Sequence, residues 1–357
     1  MPSRNPGVAP SRNFKNPVGL LFRMLLSGQR AAYSALFHEA MRLVSRPLNS
    51  LLAIREVRLR ESVPAEAAPM ILIVGAPRSG TTLVYQTLCR YMDVTYFSNL
   101  TSLFPMAPIA GSMLFRWLPG RRTADFTNFY GQTAGLSGPN DGFSVWNQWL
   151  GDDRYEPRFD LSADEQRSME HFFRVWCAKF GKPFLNKNNR NAGCLKLLAQ
   201  SIPQATFLVV RRSPLLVAQS LIKARQQVQG DKTVNWGLHS RSTEMTTDPL
   251  NYVDDVCDQV LQIETELDDQ LKHVPSNRII ECSYEDFCEA PEKILHWIAV
   301  RVPGVKLRDD LIQSELCPFT VSSKVTVSEA EMERLSSRLR VPERNVAAKS
   351  SLFSAAQ

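Results

Sequence analysis

The stretch Gly75-Ala-Pro-Arg-Ser-Gly-Thr-Thr82 restricts this chain more than any other. It follows Met70 to Val74, a short aliphatic run that reads as a strand buried on both faces, and it leads into Thr82 to Tyr91, whose spacing is helical. The loop between them is a phosphate-binding turn in modified form. The GxxxxG frame is kept, but Thr81 stands where a nucleotide triphosphatase carries its lysine, and Thr82 follows it. Glycines at the two ends let the backbone turn tightly and aim N–H groups at an anion. The macrodipole of the helix that begins there favours negative charge as well.

A P-loop lysine and its magnesium neutralise β- and γ-phosphates, so a loop without that lysine suits a ligand with less charge at its 5′ end. Arg78 offers a planar donor fork, and Thr81 and Thr82 offer hydroxyls. That set fits a 5′-phosphosulfate.

With Pro77-Arg-Ser-Gly-Thr-Thr82 the sequence resembles the sulfotransferases that use 3′-phosphoadenosine 5′-phosphosulfate (PAPS), whose loop has the form P[KR]SGTT. A second resemblance is Phe207-Leu-Val-Val-Arg-Arg212-Ser-Pro-Leu-Leu-Val-Ala-Gln-Ser220, a strand ending in arginine and then a helix with its serine eight residues on. A third, weaker one is Ile279 to Phe287, similar to the family's strand followed by YEDL. The resemblance is to a bacterial-type member and covers about the middle two-thirds of the chain. It implies that Arg78, Ser79, Gly80, Thr81 and Thr82 hold the phosphosulfate and that Arg212 and Ser220 hold the 3′-phosphate. Tyr284 reads either as a ring near the adenine or as a buried strand-end tyrosine. The cytosolic branch's RKGxxGxWK signature is absent, with Lys324 a partial replacement.

Sulfuryl transfer needs a cation at the leaving oxygen and is helped by a base for the acceptor's proton. The segment Leu185-Asn-Lys187-Asn-Asn189 is similar to the family's K-T-H segment, which makes Lys187 the cation and puts Asn189, unable to act as a base, at the histidine position. A second branch uses a glutamate about twenty residues beyond the loop, where this chain has Ser98 and Asn99. Asp141, in Gly-Pro-Asn-Asp141-Gly-Phe, is the first choice for the base, with a turn-forming role before Gly142 as its alternative. Glu156 and His239 are reserves.

Residues 1–60 hold ten Lys and Arg against two Glu, a net +8 where the whole chain carries +6, so the remainder is −2. The basicity thus belongs to an N-terminal extension, and it points to an anionic surface rather than to nucleic acid. Apolar stripes beside these arginines read either as helices packed on the domain's flank or as an amphipathic segment on a membrane. The seven cysteines are scattered without a CxxC pair, as expected of free thiols in a reducing compartment. No His, Cys and carboxylate spacing predicts a metal. Val18 to Leu26, interrupted by Arg23, is too short to span a bilayer, and a cytoplasmic protein, in peripheral membrane contact at most, is the resulting expectation.

Strands alternating with helices predict an α/β, three-layer, P-loop-like fold with a central parallel sheet flanked by helices. The expected division is a basic, partly disordered helical extension over residues 1–62, a sulfotransferase domain over 63–320, and a C-terminal helix and tail over 321–357. Within the domain, residues 98–160 show little periodicity and read either as acceptor-side cover or as a packed excursion with Phe104, Trp117, Trp146 and Trp149 in the core. The expected function is sulfuryl transfer from PAPS, without metal, to a hydroxyl or amine on a carbohydrate, lipid or other small molecule. Two rivals stand beside it: a P-loop kinase or hydrolase, disfavoured by Thr81 and by Arg211-Arg212 where acidic groups would bind magnesium, and a noncatalytic nucleotide-binding protein at a membrane surface.

Overall fold

The computed structural model describes residues 16–61, 68–116, 126, 128–129, 131–153, 157–238, 248–322 and 324–339. Glu156, His239 and Trp117 lie outside the described residues, as do residues 1–15.

Three helices come first, α1 (Pro17–Leu26), α2 (Arg30–Val44) and α3 (Arg46–Arg60). Strand β1 (Met70–Val74) then runs into α4 (Thr81–Tyr91), and β2 (Thr95–Tyr96) into two short helices, α5 (Asn99–Ser102) and α6 (Pro108–Leu114). A small hairpin, β3 (Asn128–Phe129) and β4 (Gln132–Thr133), precedes α7 (Phe143–Leu150) and α8 (Ala163–Phe180). The next units are β5 (Phe184–Lys187) with α9 (Leu195–Ser201), β6 (Ala205–Arg211) with α10 (Pro214–Ala224), and the long α11 (Asn251–Leu271). Strand β7 (Ile279–Ser283), α12 (Tyr284–Glu289), α13 (Pro291–Arg301), α14 (Asp309–Glu315) and α15 (Glu329–Arg338) complete the order.

Five strands form one all-parallel sheet in the order β2-β5-β1-β6-β7, so the fold is the α/β class with a central parallel sheet. Alternation along β1 sends Met70, Leu72 and Val74 into one core layer with Phe97, Trp146, Trp149, Phe172, Phe173 and Trp176. Ile71 and Ile73 enter the opposite layer, with Tyr85, Leu88, Leu208, Ile280 and Phe287. All five β1 residues are buried, as a strand covered by helices on both faces must be. Because β1 lies between β5 and β6, the crevice at its carboxyl end opens where connections leave to both sides, the usual ligand position in open α/β sheets.

Several elements differ from the sequence expectations. Residues 98–160 contain α5, α6, the hairpin and α7, helices of four to eight residues whose length hides any period. Phe104, Trp146 and Trp149 are buried, which settles those three as core. The chain after β5 enters a 3₁₀ segment, Asn189–Cys194, before α9, because the Asn188 side chain accepts from the Arg190 N–H and opens a tighter turn. Ser162 and Glu165 form a capping box at the start of α8, and Gly181 ends it in the left-handed conformation.

The N-terminal helices pack on the flank through polar anchors. Arg23 of α1 donates to the Gln227 and Val228 carbonyls. His38 of α2 meets the Asn99 carbonyl and the Ser102 hydroxyl. Glu56 of α3, 2% exposed, accepts from the Ala110 N–H and from Arg60.

Candidate active site

The turn after β1 is built from backbone conformations that few side chains tolerate. Gly80 (φ 92°) caps α4, and a Cβ there would lie 2.1 Å from the Tyr284 ring. Gly75 is held as closely, since its Cβ would come 2.5 Å from the Val210 carbonyl. Arg78 adopts φ 73° without being glycine, a strained conformation that the surrounding contacts must hold. Its Nε donates to the Ser220 hydroxyl at 3.0 Å, joining two segments 142 residues apart.

Register brings the other candidates to the same edge. Lys187 of β5 is level with Ile73, and Val209 of β6 with Val74, so Lys187 and Arg212 flank the turn. The Arg212 fork donates to the Arg78 carbonyl (3.0 Å) and to the Ser322 carbonyl (2.6 Å), with its guanidinium 4.6 Å from the centre of the Tyr284 ring. Tyr284 therefore packs against both Gly80 and Arg212. Burial and the adjoining Cys288 push its phenol up to about 12, so the ring is neutral. Arg211 turns the other way and pairs with Glu264 and Asp268 of α11.

Arg78, Arg212 and Ser220 open on a cavity of about 230 Å³ that Lys223, Lys324 and Gln29 also line. Four cations and no carboxylate face it, an arrangement suited to a phosphate or sulfate. Lys223 was not singled out from the sequence, although it sits one turn beyond Ser220 on α10, and that spacing is a usable signal. Lys324 is brought there by Gln219, whose side chain accepts from the Thr326 N–H and donates to the Lys324 carbonyl. Two buried polar atoms at this edge have no protein partner among the described residues: the Ser79 hydroxyl, fully buried, and the Arg212 Nε. Orphaned donors beside a cationic cavity are what an anionic donor molecule would satisfy. On that ground the residues fit a bound phosphate or sulfate group.

Lys187 and Asp141 meet directly, with the ammonium 3.0 and 3.1 Å from the two carboxylate oxygens. Lys187 is 3% exposed and Asp141 20%, so the acid is the more open partner. The loop carrying Asp141 is pinned by asparagines. Asn188 donates to the Asp141 carbonyl, and Asn186 donates to the Asn140 carbonyl and to Tyr85 while accepting from the Trp146 indole. Asn140 in turn donates to Asn99 and accepts from the Gly142 N–H. Sequence reasoning missed this amide network, whose sign was the asparagine run around Lys187. Asn189, at the position of the family's base, instead accepts from the Thr81 hydroxyl at 3.2 Å. Gly131 (φ 90°), in the hairpin turn, stands over the pair: a Cβ there would be 3.9 Å from Lys187 Nζ and 4.0 Å from Thr82 Oγ1.

A parallel α/β sheet with a phosphate-loop turn after its central strand defines a P-loop-like α/β fold. The family model described as "Sulfotransferase family" matches residues 69–302, and the chain belongs to that family. Among solved structures, the fold is similar to sulfotransferase STF1 from Mycobacterium tuberculosis, at 14% identity over 90% of each chain and a TM-score of 0.51. Sulfotransferase STF9 from Mycobacterium avium aligns at 12% identity over 81% of this chain and 79% of its own, with a TM-score of 0.49. No curated protein matches the sequence.

Proposed function

We propose that this member of the sulfotransferase family transfers a sulfuryl group from PAPS to a hydroxyl or amine acceptor on a carbohydrate, lipid or other small molecule. The observation that carries the reading is the convergence of Arg78, Arg212 and Ser220 with Lys223 and Lys324 on one cavity beside a phosphate loop that lacks a lysine. In this reading Arg212, Ser220, Lys223 and Lys324 hold the 3′-phosphate. Ser79, Gly80, Thr81 and Thr82 present N–H and hydroxyl donors to the 5′-phosphosulfate at the head of α4.

In the reaction the acceptor oxygen forms a bond to sulfur while the bond from sulfur to the 5′-phosphate oxygen breaks, that oxygen keeping the electron pair. Lys187 stabilises the charge that grows on it. The acceptor's proton passes to the Asp141 carboxylate, and the products are the sulfated acceptor and adenosine 3′,5′-bisphosphate. Tyr85, Asn186 and Trp146 keep the pair in place from behind. Six buried cysteines, one exposed and no disulfide among them, suit a cytoplasmic setting.

The test is calorimetric titration of adenosine 3′,5′-bisphosphate, beside ATP with magnesium, into the wild type and Arg212→Ala, followed by bisphosphate release from PAPS over an acceptor panel. Binding that needs Arg212 and exceeds that of ATP supports the donor site. A preference for ATP, or indifference to Arg212, overturns it; donor binding without release by any acceptor favours the noncatalytic reading.

A further inference from the structure

Exposed apolar side chains are ordinary when scattered, and they carry meaning when they gather. Of the eighteen large apolar residues exposed among the described residues, twelve fall between Val18 and Val57, on three consecutive helices. In α1, Val18, Leu21, Phe22, Leu25 and Leu26 follow helical spacing, and Leu26 is 84% exposed. No residue of this strongly apolar helix is buried. Tyr33, Phe37, Leu43 and Val44 continue the exposed surface on α2, and Leu51, Ile54 and Val57 on α3. The opposite sides of these helices are the ones anchored through Arg23, His38 and Glu56.

The exposed charge beside these side chains is mostly positive. Arg30, Arg46, Arg55 and Arg58 are exposed. Of the acids on the same helices, Glu56 is buried against Arg60, and Glu39 is exposed beside Arg42 at 3.6 Å. Aliphatic and aromatic groups interleaved with arginines complement an anionic lipid surface, where the side chains enter the acyl boundary and the guanidinium groups meet phosphates. We propose that the outer faces of α1, α2 and α3 dock this protein on an anionic membrane. Among the described residues no helix is long and apolar enough to cross a bilayer, so the contact is interfacial. Gln29, the residue before α2, lines the cationic cavity, so the docking face and the candidate site adjoin at the start of that helix. The inference stands on exposure and charge and does not depend on the donor assignment.

The experiment is co-sedimentation of the full chain with vesicles of phosphatidylcholine alone and of equal parts phosphatidylcholine and phosphatidylglycerol, at low and high salt, with sedimentation equilibrium in the absence of lipid. The wild type should partition to the anionic vesicles and less so at high salt. Phe22→Ser combined with Leu25→Ser and Phe37→Ser should lower partitioning more than tenfold, and each of Arg46→Gln, Arg55→Gln and Arg58→Gln about fivefold. Val300→Ser, elsewhere on the surface and 81% exposed, should change nothing. Thermal melts establish that each variant folds. The proposal is overturned by absence of wild-type partitioning, or by partitioning unchanged in the triple apolar variant. It is equally overturned by a lipid-free dimer that the triple variant dissolves while vesicle binding is absent, since the face would then be a contact between copies of this chain.

Discussion

The Lys187 ammonium lies 3.0 Å from the Asp141 carboxylate, and these two residues, 46 apart in sequence, meet at the carboxyl edge of the sheet beside the phosphate loop. Lys187 is nearly fully buried, so its charge has no solvent to replace the partner it would lose. Asp141→Asn is expected to lower stability by about 2–3 kcal/mol. Within the proposed reaction it should also cut turnover by about 10²–10⁴ while leaving bisphosphate affinity within a few-fold. Urea midpoints and calorimetry on the same variant separate the two effects; loss of donor affinity equal to the loss of turnover would mean that Asp141 shapes the donor site instead.

Gly80 is required twice, by its φ of 92° and by the Tyr284 ring packed against it. Gly80→Ala should destabilise by more than about 2 kcal/mol through strain and overlap. Gly80→Ala with Tyr284→Ala removes the overlap and leaves the strain, so the pair should be less than additive. Thermal melts of the two single variants and the double variant measure that coupling, and strict additivity would contradict the contact.

Glu331 begins α15 and ties it to the domain. Burial alone would raise its carboxyl, but bonds from Lys232, Tyr252 and Ser328 outweigh burial and hold it at about 2. A carboxyl lowered in the folded state stabilises above its ordinary range, and that contribution disappears as pH falls from about 4.5 toward 2. Glu331→Gln should therefore lower the urea midpoint at pH 6 and flatten its decline between pH 5 and pH 2.5, as urea titrations at several pH values would show. A variant with the wild-type slope would count against this account.

Six of the seven cysteines are buried, and Cys317 is exposed. Burial pushes the Cys177, Cys194, Cys257 and Cys282 thiols up to about 12, far from the reactive thiolate. Ellman's reagent should thus titrate one thiol in the native protein and seven in denaturant, and Cys317→Ser should abolish the native reaction.

The phosphate-loop turn, β1, β6 and the convergence of Arg212 and Ser220 on one cavity were readable because each is local. A run such as Ile71-Leu72-Ile73 has one reading, glycines at 75 and 80 fix a turn, and an eight-residue spacing fixes a helix face. The amide network of Asn99, Asn140, Asn186 and Asn188 was not readable, because an asparagine's partners are chosen by burial and not by neighbours in sequence. Lys223 was overlooked for a related reason: a lysine on α10 faces either solvent or cavity, and helical spacing favours the cavity only once Ser220 is known to face it.

By itself the sequence determined the strand, turn and helix at Met70–Tyr91 and the parallel α/β class, since these follow from periodicity, glycine conformations and short-range spacing, while its motif strings carried the resemblance to sulfotransferases. Only the tertiary structure decided that Lys187 faces Asp141, that Asn189 is tied to Thr81, and that Lys324 reaches the same cavity as Arg78. It also decided that α1 to α3 pack by one side while exposing apolar groups on the other. Such relations depend on strand order and on which faces meet, and a one-dimensional pattern constrains the faces of an element without naming what lies opposite them.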